Sequence, residues 1–380
     1  MKYKKIKLKE VCTVNQGLQI PISKRFKEAG NNRYFYITIQ FLKGNSENYY
    51  IENPKKSVIC NKEDILVVRT GSTGIVLTGV EGCFHNNFFK VVPKNNIFNK
   101  YLYYSLNNKE MYEKMLNAAS GTTIPDLKHS SFYELEIPLP EYCEQVKIAK
   151  ILNIIDKKIE LNTHTNNNLY AIGKALYQEY FENEKYTRNY ETKQLSDVTT
   201  NNRNKIDQSK EYKVLSAVNT GNLVLSDDYF DKQVYSKDIG KYLNVNKYDF
   251  AYNPARINIG SIGLNTFDFN CCVSPVYVTF SVDKDYIDFF DFYFKSKKFN
   301  AEVTLRASGS VRQALNYNDF GMIEIPYPTK EMIDKFNNSY KTLKERININ
   351  KIKIRNLEQL RDTLLPKLMN GEIDLDKVKI

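Results

Sequence analysis

Downstream of Pro140 the apolar positions fall into a single seam. Ile148, Leu152, Ile155, Ile159, Asn162, Asn166, Leu169, Gly173, Leu176 and Tyr180 follow one another at steps that alternate between four and three. A second seam follows Pro328, through Phe336, Tyr340, Leu343, Ile347, Asn350, Ile354, Leu357, Arg361 and Leu364, at the same alternating steps. Such stepping is the heptad signature of helices that bury one stripe against another helix. Charged residues flank the first seam, among them Glu144, Lys147, Lys150, Lys157, Lys158 and Glu160. The pattern predicts helices over 141–181 and 331–365, about 60 Å and about 50 Å long at 1.5 Å rise per residue.

Upstream of each seam the periodicity is that of short strands, rich in β-branched and aromatic residues and bounded by Gly, Asn and Pro. Asp64 to Arg69, Phe88 to Val92 and Val276 to Phe280 are the clearest. Aromatic-rich helical stretches follow, over 99–116 and 285–299, and each segment closes on Ile-Pro-x-Pro. Proline there holds an extended backbone and stops the element before it.

The chain repeats itself once. Ser120-Gly121-Thr122 returns as Ser308-Gly309-Ser310, Ile137-Pro138-Leu139-Pro140 as Ile325-Pro326-Tyr327-Pro328, and Asn168-Leu169 as Asn356-Leu357, each 188 residues later. Leu8 and Val11 match Leu195 and Val198 at 187, and Asp64-Ile65-Leu66 matches Asp249-Phe250-Ala251 at 185. Preserved order with small drift is what duplication followed by loop insertion produces. The expected architecture is α+β, with two mixed α/β domains joined by two long antiparallel coiled-coil helices in internal pseudo-two-fold symmetry. Its parts are 1–140, 141–184 as first helix, 185–328, and 329–380 as second helix and tail. Antiparallel seams would bring their midpoints, Asn162 and Asn350, face to face as a register-setting polar pair.

Composition narrows the function. Formal net charge is +11, which suits a polyanionic partner, nucleic acid being the commonest. No apolar run approaches the roughly 20 residues that span a bilayer. The basic start Met1-Lys2-Tyr3-Lys4-Lys5-Ile6 has no apolar segment behind it, so no secretory signal is expected and the expected location is cytoplasmic. Six cysteines, Cys12, Cys60, Cys83, Cys143, Cys271 and Cys272, lack C-x-x-C spacing. With only three histidines, His85, His129 and His164, no metal site is expected and the cysteines read as reduced thiols.

With these features assembled, the chain resembles the specificity subunits of type I restriction-modification systems. The resemblance is densest over Ile137 to Asn162, I-P-L-P-E-Y-C-E-Q-V-K-I-A-K-I-L-N-I-I-D-K-K-I-E-L-N, similar to the family's entry into its first spacer helix. The second copy, I-P-Y-P-T-K-E-M-I-D-K-F from Ile325, lacks the Glu-Gln dipeptide. Leu364 to Ile373 is similar to the family's C-terminal signature, and Asp64 to Gly74, D-I-L-V-V-R-T-G-S-T-G, to its recognition-domain segment. The resemblance implies a subunit without catalysis of its own, each recognition domain reading one half of a bipartite, asymmetric target on double-stranded DNA. It also implies that the coiled coil sets the unread gap. Two methyltransferase subunits, which would bind S-adenosylmethionine, and a motor-nuclease subunit are the implied partners; no cofactor is expected on this chain.

Two loops per repeat are candidates for DNA contact. In the first repeat, Arg69, Thr70, Ser72 and Thr73 lie in a Gly-rich turn that is no phosphate loop, because no Gly-Lys-Ser/Thr follows. It is either a flexible loop approaching DNA or a plain hairpin turn. Asn253, Arg256 and Asn258 take the matching place in the second repeat, where Arg pairs bidentately with guanine and Asn with adenine. Asn253-Pro254-Ala255-Arg256 is superficially like the Asn-Pro-Pro-Tyr motif of adenine methyltransferases but lacks its second proline and aromatic. The second pair of loops carries Ser120, Thr122 and Thr123, with Arg306, Ser308, Ser310, Arg312 and Gln313 as counterparts. These read equally as turns entering the last strand. Lys128 and Lys24-Arg25 read as phosphate contacts or solvated charge. A nuclease needs clustered carboxylates with a lysine, and Pro125-Asp126 has no Glu-x-Lys on a nearby strand. The alternative from another class is a coiled-coil adaptor or regulatory DNA-binding protein without base readout.

Overall fold

A computed structural model of the chain describes residues 3–42, 47–121, 125–188, 190–230, 233–307 and 314–377. In the first repeat Cys12–Gln16, Phe88–Pro93, Ile65–Val68 and Val76–Leu77 form one antiparallel sheet in that spatial order. A second sheet orders Tyr50–Glu52, Arg33–Ile37, Gly82–Phe84 and Ile59–Cys60, with the Arg33–Ile37 to Gly82–Phe84 pairing parallel. Ile65–Val68 shows why four apolar residues in a row make a strand here. Ile65 and Val67 point into one core and Leu66 and Val68 into another, so both faces are buried. The Ile-Pro-x-Pro segment, Glu136–Leu139, pairs only with Lys4–Lys7, Ile6 facing Ile137. A two-stranded ladder tolerates the proline's missing donor, which a central strand would not.

The second repeat reproduces this strand by strand. Thr199–Asn201, Val278–Val282, Phe250–Tyr252 and Ile262–Leu264 form the first sheet, and Asn222–Leu225, Lys213–Val218, Cys271–Val273 and Leu243–Val245 the second. Glu191–Gln194 pairs Glu324–Tyr327, Ile325 facing Lys193. Register is kept as well: Val67 sits opposite Phe89, and Tyr252 opposite Val278. The duplication read from short sequence matches is a duplication of topology.

The long helices run over Tyr142–Phe181 and Lys330–Met369, 40 residues each. The second outlasts the expected end at Leu365. Pro366 lies inside it, because Leu368 and Met369 beyond are buried in the first repeat's core. Gly371, at φ +69°, then ends it, the amides of Gly371 and Glu372 bonding to the carbonyls of Leu368 and Lys367. The chain forms two compact units: one holds everything up to His164 together with everything from Asn350 onward, the other Thr165–Ile349. Each unit therefore takes one half of each long helix. In the first unit Ile148, Ala149 and Leu152 share a core with Leu365, Leu368 and Met369. In the second, Tyr177 and Phe181 share one with Ile333, Phe336 and Tyr340.

Inside each unit the halves run antiparallel. Lys147 pairs Asp376 just past the second helix (2.6 Å) and Asp156 pairs Arg361 (3.2 Å) in the first unit. Asn166 bonds the Ile347 carbonyl (3.3 Å) and the rings of Phe181 and Phe336 lie 5.0 Å apart in the second. The two midpoint asparagines are not equivalent. Asn350 is buried, at 1% exposure, whereas half-exposed Asn162 turns its amide onto the Lys158 carbonyl of its own helix (2.7 Å).

Gly173 and Arg361 stand at matching positions of the two seams and are opposite solutions to one packing problem. Arg361 reaches Asp156, whose other oxygen accepts from the Tyr104 hydroxyl (2.6 Å), beside Leu152 in the core. In the second unit Leu152 is matched by Tyr340, and Gly173 makes the room its ring needs. A Cβ on Gly173 would stand 2.5 Å from Tyr340 Cε2 and 3.1 Å from Phe292 Cζ. Gly to Ala inside a helix ordinarily stabilises by about 1 kcal/mol. Here Gly173→Ala is expected to destabilise, by about 1 kcal/mol net, because overpacking costs about 1–3 kcal/mol. Adding Tyr340→Leu to it should recover stability in urea unfolding. A gain from Gly173→Ala alone would contradict this packing.

Candidate nucleic-acid interface

In the first repeat the two candidate loops meet. The strand Ile65–Val68 delivers Arg69 to the turn, where Gly71 and Gly74 take φ of +98° and +89°, a region that glycine enters without steric cost. Gly74 is also crowded: a Cβ there would stand 3.1 Å from Tyr112 Cδ2. Arg69 Nε and Nη2 donate to the two carboxylate oxygens of Asp126 (2.7 and 2.9 Å), and its Nη1 leans on Gln16 Oε1 (3.4 Å). Thr70 Oγ1 donates to the same carboxylate (2.7 Å). Buried Thr73 donates from its hydroxyl toward the carbonyls of Pro125 (2.6 Å) and Arg69 (3.0 Å). Backbone bonds run from Leu127 N to Arg69 O (3.1 Å) and, in both directions, between Ser120 and Asp126. The Arg69 guanidinium holds the Asp126 carboxyl below the usual carboxylate range.

The predicted readers therefore separate by geometry. Arg69 and Thr70 are committed to Asp126 and Thr73 to backbone carbonyls, while Ser72 is half-buried and Ser120 and Lys128 are exposed. Lys24 is exposed, but Arg25 is not a free cation: Nε and Nη2 donate to the Ile20 carbonyl (2.9 and 2.8 Å) and the guanidinium lies over Tyr36. In the second repeat Asn253 Oδ1 accepts from Ala255 N (3.0 Å), an Asx turn, so its amide is structural. Arg256 is exposed and Asn258 half-exposed, and neither side chain has a hydrogen bond or ion pair among the described residues. Arg306 donates to the Met322 carbonyl (3.1 Å). Thr122, Thr123, Ser308, Ser310, Arg312 and Gln313 lie outside the described residues.

The backbone tie recurs where the side chains do not. Leu315 N bonds the Pro254 carbonyl at 3.1 Å, as Leu127 N bonds Arg69 O. The residue before each leucine is Asp126 in one repeat and Ala314 in the other. In the sequence Asp126 stands only as a carboxylate without the partners a nuclease needs. Its pairing with Arg69 was invisible because 57 residues separate them. Position alone offered one hint, that Asp126 abuts one candidate loop and Arg69 opens the other.

Fold and site define a class: a duplicated α+β protein whose halves share two long helices and carry unlike loops on like strands. Residues 1–171 match the family model described as the type I restriction modification DNA specificity domain. The chain is 25% identical over 383 residues, 93% of its length and 86% of the relative's, to the type I restriction enzyme MjaIX specificity subunit of Methanocaldococcus jannaschii. It is 34% identical over 128 residues, 33% of its length and 30% of the relative's, to the MjaVIII specificity subunit of the same organism. A crystal structure of a type I restriction-modification S subunit from M. genitalium shares the fold, with a TM-score of 0.57 at 18% identity, over 97% of this chain and 96% of that one. Over most of its length the chain is thus similar to the specificity subunits of type I restriction-modification systems, and its residues 1–171 match their DNA specificity domain.

Two histidines of the first unit are partly buried, His85 against Tyr36 and His129 against Phe89. Burial pushes the His85 and His129 imidazoles below their ordinary pKa, with Arg25 and Arg69 respectively adding to it. The unfolded chain takes up protons near pH 6.5 that the folded chain resists, so stability is full above that pH and falls on acidification. Thermal unfolding is expected at lower temperature at pH 5.5 than at pH 7.5, and His129→Phe should shrink the difference. An equal drop in the variant would remove His129 from the cause.

Proposed function

We propose that this chain supplies DNA sequence specificity to a type I restriction-modification complex, each repeat reading one half of a bipartite, asymmetric target. The observation that carries this is the pairing of like scaffold with unlike loops. The strands that deliver residues 69–74 and 253–261 correspond in order and register, yet one turn is built on Arg69 and Asp126 and the other on Pro254 and Asn253. Two domains that bound DNA only through phosphates would need no such chemical divergence, because phosphate contacts carry no sequence information. On this reading 1–140 and 185–328 are the recognition domains, and 141–184 and 329–380 are the helices that set the unread gap. Since both readers lie on one chain and differ, the target need not be palindromic, unlike that of a symmetric dimer.

Chemistry then belongs to partners. Two methyltransferase subunits, holding S-adenosylmethionine, would modify adenine in each half, and a motor-nuclease subunit would join for cleavage. The expected location is the cytoplasm; among the described residues no helix is long and apolar enough to cross a membrane. Exposed Arg256 and half-exposed Asn258 are the second repeat's best-placed base contacts, and exposed Lys24 and Lys128 the first's phosphate contacts.

The test is the host's adenine methylome, with and without this gene beside its methyltransferase gene. One bipartite motif should vanish on deletion, and exchanging Met1 to Pro140 as a block should rewrite one half of it. A methylome untouched by deletion would defeat this reading. A block exchange that altered both halves would defeat its modular form.

A further inference from the structure

The turn at the end of the third-placed strand is held rigid in both repeats, by different means. In the first repeat Asp126 ties the start of the turn Arg69 to Gly74 through its carboxylate and the opposite flank of the neighbouring loop through its backbone. Asp126 takes Nε and Nη2 of Arg69 and the hydroxyl of Thr70, and its backbone pairs with Ser120. In the second repeat the residue at the place of Arg69 is Pro254, whose ring fixes φ, and Asn253 closes an Asx turn on Ala255. The acid's place there is Ala314, so nothing is left for an ion pair to do. The backbone bond from the following leucine, Leu127 or Leu315, is common to both. Two unrelated devices that immobilise one turn indicate that its rigidity is what both repeats need.

We infer that Asp126 is a positioning residue for the first half-site, acting through Arg69, and that Arg69 serves this latch and does not itself read a base. The inference rests on the proposed DNA reading. Its chemistry is plain. Recognition of guanine uses the two-donor edge of a guanidinium, and Asp126 already occupies such an edge of Arg69. The remaining Nη1 faces Gln16 Oε1. Without the carboxylate the turn keeps Thr73 and its backbone bonds but loses the tie on Arg69 and Thr70 ahead of two positive-φ glycines at 71 and 74, and whatever it presents to DNA is presented more loosely. The second half-site, whose turn is held by proline, should not notice.

The experiment uses the full chain in its complex, with methylation read across the host genome for Asp126→Asn, Arg69→Met and the double variant. The half-site that changes when Met1 to Pro140 is exchanged identifies the first reader's half. Each single variant is expected to lower discrimination in that half by about tenfold, the scale on which one good base contact discriminates. The double variant should be no worse than either single, because both remove the same latch. Asp126→Glu, which keeps the charge, should restore part of the discrimination, and the second half should read as in the unaltered chain. Three outcomes overturn the inference. One is a motif altered at a single base by Arg69→Met and left alone by Asp126→Asn, which makes Arg69 a direct reader. Another is additive loss in the double variant. The third is less methylation of an unchanged motif in both variants, together with lower thermal stability, which reduces the latch to structure alone. None of these resembles failure of the DNA reading itself, in which deleting the gene leaves the methylome as it was.

Discussion

Neither repeat closes its own core. The strands of the first leave a face that is covered by Ile148 and Leu152 from one long helix and by Leu365, Leu368 and Met369 from the other, more than 200 residues later. The second is completed in the same way by Tyr177, Phe181, Phe336 and Tyr340. Burial of such side chains contributes about 1.5–3 kcal/mol each, so a repeat deprived of either helix would lose a substantial part of a stability that is normally only about 5–15 kcal/mol. The helices therefore serve as walls of both cores, and everything the loops do depends on that shared packing.

Shared packing explains why the two ends of the helices are built from different side chains. The first unit fills its end with aliphatic residues and ties Asp156 to Arg361 and Tyr104. The second fills its end with rings, Phe181 against Phe289 and Phe336, and Phe336 stacked on Tyr340. Gly173 and Arg361 cannot be exchanged without a clash at Tyr340 and, in the first unit, loss of the cation that Asp156 pairs with. The ends are alike in topology and incompatible in shape, which keeps each half of a helix with its proper partner.

Unlike loops on like strands are the functional counterpart of the same divergence. The first repeat spends Arg69 on Asp126 and keeps its turn by an ion pair, while the second keeps its turn by Pro254 and leaves Arg256 exposed. A rigid turn with replaceable contents lets a reader change its sequence preference without rebuilding the domain beneath it.

Periodicity and repetition along the chain carry most of the architecture. The alternating four-and-three seams, the Ile-Pro-x-Pro segments and the offset of 188 depend on local geometry and on order along the chain, and both are written in one dimension. The duplication, the two long helices and the placing of candidate loops after the strand at 64–69 and its counterpart were legible for that reason. Roles set by distant partners were not. That Arg69 is held by Asp126, that Arg25 caps the Ile20 carbonyl, that Gly173 exists for the ring of Tyr340, and that the second helix passes Pro366 because Leu368 and Met369 are buried were all decided by contacts across the fold. The sequence by itself determined which residues could be charged readers. Only the tertiary structure decided which of those charges were still free, because an arginine's hydrogen-bond donors are spent by whatever carboxylate or carbonyl the folded chain brings to them.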